Sequence, residues 1–190
     1  DELVLSNGLL SRTFRLAPNA ATVGLDSGIT GASMLRGVKP EARIQIDGMS
    51  YDIGGLIGQE EYAYLRREWI DSLACDPAAF QYTHYEHGAT QAPFAWKRVR
   101  HAPDLPWPAP GMRLSLHFAA PAESSLAGLG VAVYYELYDG IPLLCKWLEV
   151  HNHSGRSVRL NTFVGEILAA VEGEVSVDSP SQWTYPDIHV

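Results

Sequence analysis

The segment 131–160, VAVYYELYDGIPLLCKWLEVHNHSGRSVRL, constrains the fold of this chain more than any other stretch. Asp139-Gly140 is a dipeptide that two-residue hairpin loops prefer, because the turn that matches strand twist holds its central residues at positive φ, where Gly costs nothing and Asp is tolerated. Asn152-His153-Ser154-Gly155 supplies a second connection. The Val, Tyr, Leu, Ile and Trp residues around them suit a pleated, half-buried surface. The spacing predicts three consecutive antiparallel strands. In the middle one, Ile141, Leu143, Cys145 and Trp147 alternate with Leu144, Leu148 and Val150. Both faces are apolar, as in a central strand covered on two sides, and Trp147 is expected in the core.

The rest of the chain repeats the theme. Asp47-Gly48 sits between the alternating pieces ARIQI and MSYDI and predicts a hairpin over 42–53. Residues 9–16 read as a first strand after a turn at Asn7-Gly8, and further strands are expected at 79–86, 94–101, 112–119 and 156–171, the last broken near Gly165. Only 64–73 reads as helix, with Leu65, Trp69 and Leu73 every fourth residue. The segment APDLPWPAPG (102–111) lacks too many backbone donors to pair as a central strand and is expected to be a surface loop carrying Trp107. Many short strands, one brief helix and no strand-helix rhythm predict an all-β antiparallel sandwich forming a single domain over 1–190.

Composition narrows the function. A net charge of -8, from 14 basic and 22 acidic residues, argues against a nucleic-acid partner, which needs clustered Lys and Arg. The cluster Lys97-Arg98-Val99-Arg100 reads as the polar side of a strand. No stretch approaches the about 18 apolar residues of a membrane span, so no membrane partner is expected. The opening DELVLSNGLL has no basic-then-apolar leader, as in a mature exported protein, and an exported origin is allowed. Cys75 and Cys145 are too few for a disulfide scaffold; their spacing suggests no metal site, and a bridge between them stays open.

His151 and His153 would face one side of a strand and could converge on an ion, but turn-flanking polar residues are the favoured reading because no third ligand stands at a recognisable spacing. His84 and His87, three apart, would lie on opposite faces of a strand. No metal or cofactor is expected. Glu166, in FVGEILAAV, is the most suggestive carboxylate, since a charge in an apolar run needs a partner or a function; a structural ion pair is the favoured reading. Five Trp and nine Tyr offer flat apolar surfaces of the kind that pack against sugar rings. Trp107, Trp183 and Tyr185 are the candidates for carbohydrate or domain-interface contact, beside the alternative that such a Trp caps the sandwich end.

The opening LSNGLLSRTFRL, the stretch FAWKRVRHAPDLPWPAPGMRLSLHF and the run YYELYDGIPLLCKWLEVHNHSGRSVRLNTFVGEILA together resemble the amino-terminal β-sandwich domain of family 36 glycoside hydrolases, the α-galactosidase group. The resemblance implies a galactose mutarotase-like supersandwich that precedes a separate catalytic (β/α)₈ barrel. That barrel needs about 250 residues of alternating strand and helix, and this chain has no place for it. It further implies a non-catalytic domain in the amino-terminal part of a longer chain, whose partners are carbohydrate or the adjacent barrel; a homo-oligomer is compatible. Two alternatives stand beside it. One is an autonomous carbohydrate-binding module. The other is an aldose 1-epimerase-like enzyme in which Glu166 would pair with His117 or His151 as general base and acid.

Overall fold

A computed structural model of the chain describes residues 1–60, 64–97, 99–101 and 104–171. These residues form an all-β antiparallel sandwich. Strands β1 (Glu2–Ser6), β2 (Leu10–Arg15) and β3 (Ala21–Ser27) make one sheet in that order. After the short β4 (Leu35–Gly37), β5 (Ala42–Ile46) and β6 (Met49–Ile53) form a hairpin. A four-residue helix, α1 (Arg67–Ile70), precedes β7 (Gln81–Ala89), β8 (Gly111–Ala119), β9 (Leu129–Tyr138) and β10 (Leu144–Asn152), which pair in the order β10-β9-β8-β7. Finally β11 (Leu160–Val164) joins β5, and β12 (Ala169–Ala170) joins β4.

The main core lies between the inner face of the four-stranded sheet and the smaller sheets. Leu114, Leu116 and Phe118 of β8 and Val131, Val133, Tyr135 and Leu137 of β9 alternate inward, as the period of a strand requires. They meet Phe14 of β2, Ile44 and Ile46 of β5, Ile53 of β6 and Phe80. Phe14 and Tyr135 pack ring against ring at 4.9 Å, the kind of tilted aromatic contact that adds to plain area burial.

The expected hairpin at 42–53 is present. Asp47 (φ 50) and Gly48 (φ 84) both take the left-handed conformation that its tight turn needs. The hairpin of β9 and β10 is also present, with a longer connection, Asp139–Leu143, that Asn7 clamps by donating from Nδ2 to the Tyr138 and Ile141 carbonyls at 2.6 and 2.7 Å. The third strand differs from expectation. After the turn held by Asn152, whose Oδ1 accepts from the Ser154 amide at 3.0 Å, the chain crosses to the other sheet. The reason is a competing set of partners: Asp47 exchanges hydrogen bonds with the Arg159 backbone at 2.9 Å, and Asn161 Oδ1 accepts from Gly48 N at 2.9 Å. With β11 drawn away, β10 is the outermost strand of its sheet among the described residues, not a central one.

Two other expectations are corrected. No strand forms at 94–101 among the described residues: this stretch belongs to the proline-rich connection between β7 and β8, whose ends meet where Thr90 Oγ1 donates to the Ala109 carbonyl at 2.6 Å. Lys97 and Arg100 are therefore exposed on a loop, not on the polar side of a strand, and Arg98 lies outside the described residues. The helix is one turn long, and Ile70 and Leu73, packed by Leu65, bury where Trp69 was expected to. Residues 156–171 do break at Gly165, between β11 and β12. Both cysteines are free thiols.

Candidate functional site

Because β7 to β10 alternate, side chains of one parity face the core side and those of the other stand on the outer face of the four-stranded sheet. Register sets three ranks across it: His84, His117, Ala132 and Glu149; then Glu86, Ser115, Tyr134 and Trp147; then Gly88, Arg113, Glu136 and Cys145. Trp147 is thus half-buried on the face away from the core, where it stacks on Tyr134 with centroids 5.0 Å apart and planes 3° from parallel. This corrects the expectation that it is a core residue.

Polar groups surround that aromatic pair. The Arg113 guanidinium lies 5.6 Å from the Tyr134 ring centroid, and the Tyr134 hydroxyl donates to Glu149 Oε2 at 3.1 Å. His117 meets the Tyr134 ring edge-on at 6.4 Å, and its Nε2 is 3.0 Å from Ser115 Oγ. Burial, reinforced by nearby His84, holds the His117 imidazole below its ordinary pKa. Burial also raises the Tyr134 phenol, as does its bond to Glu149, so it stays a neutral donor. Glu136 is almost wholly buried in the third rank; its carboxylate accepts from the Gln91 amide at 2.8 Å and from the Tyr138 hydroxyl at 3.0 Å. Flat apolar rings ringed by donors and acceptors can hold a ligand that has an apolar face and polar edges.

The sequence candidates scatter. His117 and His151 both stand on this face, with Glu149 near each: His151 Nε2 is 3.7 Å from the Glu149 carboxylate. Glu166 does not join them. It lies on the inner side of the sheet, where Arg12 Nη1 donates to it at 2.5 Å and Lys146 Nζ at 2.8 Å. Burial works to raise its carboxyl, but Arg12 and Lys146 together hold it below the usual carboxylate range. The structural ion pair favoured for Glu166 is thus present. His151 and His153 share a side, with parallel rings 6.5 Å apart.

Trp107 is exposed on its loop and packs beside Phe94 and Trp96 at 5.6 and 5.5 Å. Trp183 and Tyr185 lie outside the described residues. A separate cleft of about 310 Å³ is lined by Arg36, Lys39, Arg43 and Asp52, but Asp52 already holds Arg43 at 2.6 Å and Arg36 Nε donates to the Ala170 carbonyl. Sequence reasoning missed Tyr134 and Arg113, and it weighed His84 with His87 rather than with His117, its partner across the strands. The available signal was the outward set of each strand, Arg-Ser-His in β8 and Ala-Tyr-Glu in β9, which puts aromatic rings beside ionisable groups on one face. No protein-family model matches this chain, and no curated protein or solved structure is significantly similar to it.

Proposed function

We propose that this chain is a non-catalytic β-sandwich domain of a carbohydrate-active protein, akin to the amino-terminal supersandwich of family 36 glycoside hydrolases, and that it contacts carbohydrate through the outer face of its four-stranded sheet. The observation that carries this reading is the Tyr134–Trp147 pair flanked by Arg113, Glu149 and His117. A pyranose offers apolar C–H faces to such rings and hydroxyls to such flanking groups. The exposed side chains of Phe94, Trp96, Leu105 and Trp107 fit the second half of the reading, a surface that packs on a catalytic (β/α)₈ domain.

The test is a titration of the chain with galactose and methyl galactosides, followed by tryptophan fluorescence. One stacking contact with a few exposed hydrogen bonds gives a Kd on the order of 1 mM, about -4 kcal/mol. The expected result is a saturable change that Trp147→Ala abolishes and Trp107→Ala leaves in place. No saturation, or saturation unaffected by Trp147→Ala, removes the sheet face from consideration. Aryl galactosides should not be turned over above buffer, since glycoside hydrolysis needs two carboxylates across a cleft that the reading assigns to the barrel.

A further inference from the structure

Three side chains on neighbouring strands bring metal-ligand atoms to one spot at the β7 side of the four-stranded sheet. His84 and Glu86 are two apart on β7 and share its outer face, and His117 stands directly opposite His84 on β8. One ligand atom from each lies within 4.8 Å of the other two, and His117 Nε2 is 3.8 Å from Glu86 Oε2. A tetrahedral ion with bonds of about 2.1 Å holds its ligands roughly 3.4 Å apart, so closing on an ion takes about an ångström of side-chain movement. The parallel rings of His84 and His117, now 4.4 Å apart, must splay to aim at a common point. Rotation about the broad χ2 torsion of His allows it, since His84 and Glu86 are exposed and His117 is half-buried.

A neighbouring hydroxyl prepares one of the ligands. Thr83 Oγ1 donates its single proton to the His117 carbonyl at 3.0 Å, so toward His84 Nδ1, also at 3.0 Å, it can act only as acceptor. Nδ1 of a neutral His84 must then carry the proton, which leaves Nε2 as the free lone pair. Holding one imidazole nitrogen by a hydrogen bond so that the other ligates is the usual outer-shell arrangement of histidine metal sites. Ser115 Oγ is the group that would give way at His117 Nε2.

We propose that His84, Glu86 and His117 bind a divalent first-row transition ion of the zinc class, with the remaining coordination position open to solvent. Two imidazoles and one carboxylate favour such ions over magnesium or calcium, which prefer all-oxygen sets. The site stands whether or not the sheet face binds sugar.

The experiment is calorimetric titration of the chelator-treated chain with Zn²⁺ and, in parallel, with Ca²⁺, followed by Co²⁺ titration read by visible absorption. The expected result is saturable binding of one Zn²⁺ per chain, a Co²⁺ spectrum of low coordination number, and no Ca²⁺ binding. His84→Ala and His117→Ala should each abolish saturation, while Thr83→Val should weaken it by about 10- to 100-fold. His87→Ala, on the other face of the same strand, and His153→Ala should leave it unchanged. Circular dichroism confirms that each variant is folded. Absence of saturable Zn²⁺ binding, or binding that survives His84→Ala or His117→Ala in a folded variant, overturns the proposal.

Discussion

Arg12 is almost wholly buried and still makes four polar contacts: its Nε donates to Thr22 Oγ1 at 2.8 Å, Nη2 to Glu41 Oε2 at 3.0 Å, and Nη1 and Nη2 to the two oxygens of Glu166. Tyr135 donates its hydroxyl to Glu41, and Lys146 reaches both Glu166 and the Glu41 carbonyl. Two cations thus balance two carboxylates, and each buried charge is hydrogen-bonded. Removing one partner leaves the others uncompensated. Arg12→Met should therefore cost about 3–5 kcal/mol in urea unfolding, as for other broken buried pairs. Tyr135→Phe, which deletes one bond to a charged acceptor, should cost about 1.5–3 kcal/mol. The depressed carboxyl of Glu166 sets a pH dependence. Its contribution is fully present above the unfolded value, about 4.3 for Glu, and is lost as pH falls through the lower folded value. The stability gap between wild type and Glu166→Gln should accordingly narrow from pH 5 to pH 3 in urea melts; a constant gap would mean that Glu166 gains nothing from its charge. An apolar run marks Glu166 as a carboxylate needing a partner. It cannot say that the partners come from positions 12 and 146, because only the tertiary fold brings those strands together.

The elements that could be read from sequence are those whose chemistry is local. Asp47-Gly48 specifies a turn within four residues, and the alternation of 112–119 specifies a strand within eight, so both were legible. The path of β11 was not, since it depends on Asp47 meeting Arg159 and Gly48 meeting Asn161 across more than a hundred residues. The aromatic pair was missed for a related reason: Trp147 alternates with apolar residues in both directions, and only the packing of Leu144, Leu148 and Val150 against the core reveals which face of β10 stays open. Glycines at element ends allow a direct test of how backbone conformation and packing combine. Gly54 (φ +63) follows β6, and a Cβ there would overlap the Ala20 carbonyl oxygen and sit 2.7 Å from Phe118 Cε1. Gly48 (φ +84) has nothing within 4 Å of the same position. Gly48→Ala should cost only the left-handed strain, about 1–2 kcal/mol, whereas Gly54→Ala adds overpacking of about 1–3 kcal/mol. Equal costs in denaturant titrations would show that the close approach of β6 to β8 is relieved by small backbone shifts.

Among the described residues, several apolar side chains left outside the cores are exposed at a sheet edge and on connections. Leu160, Phe163 and Val164 are exposed along β11, which has β5 on one side and no strand on the other among the described residues, and Ile141 and Leu143 are exposed on the β9–β10 connection. An apolar outermost strand of this kind invites pairing with another chain or domain. The Phe94–Trp96–Trp107 cluster is the most aromatic of these surfaces, and its rings pack mainly on one another. Trp107 is 43% exposed, so Trp107→Ala should cost about 0.5–1.5 kcal/mol, the worth of its ring contacts. Truncation of Phe80, which is wholly buried in the main core, should cost about 3–5 kcal/mol. A dye that fluoresces on exposed apolar surface, such as anilinonaphthalene sulfonate, should bind the folded wild-type chain and lose much of its signal in Trp107→Ala. Both results together assign the cluster to docking. A thermal destabilisation by Trp107→Ala as large as that of Phe80→Ala would instead make the loop part of what holds the sandwich together, and the proposed packing surface for a catalytic domain would have to be sought along β11.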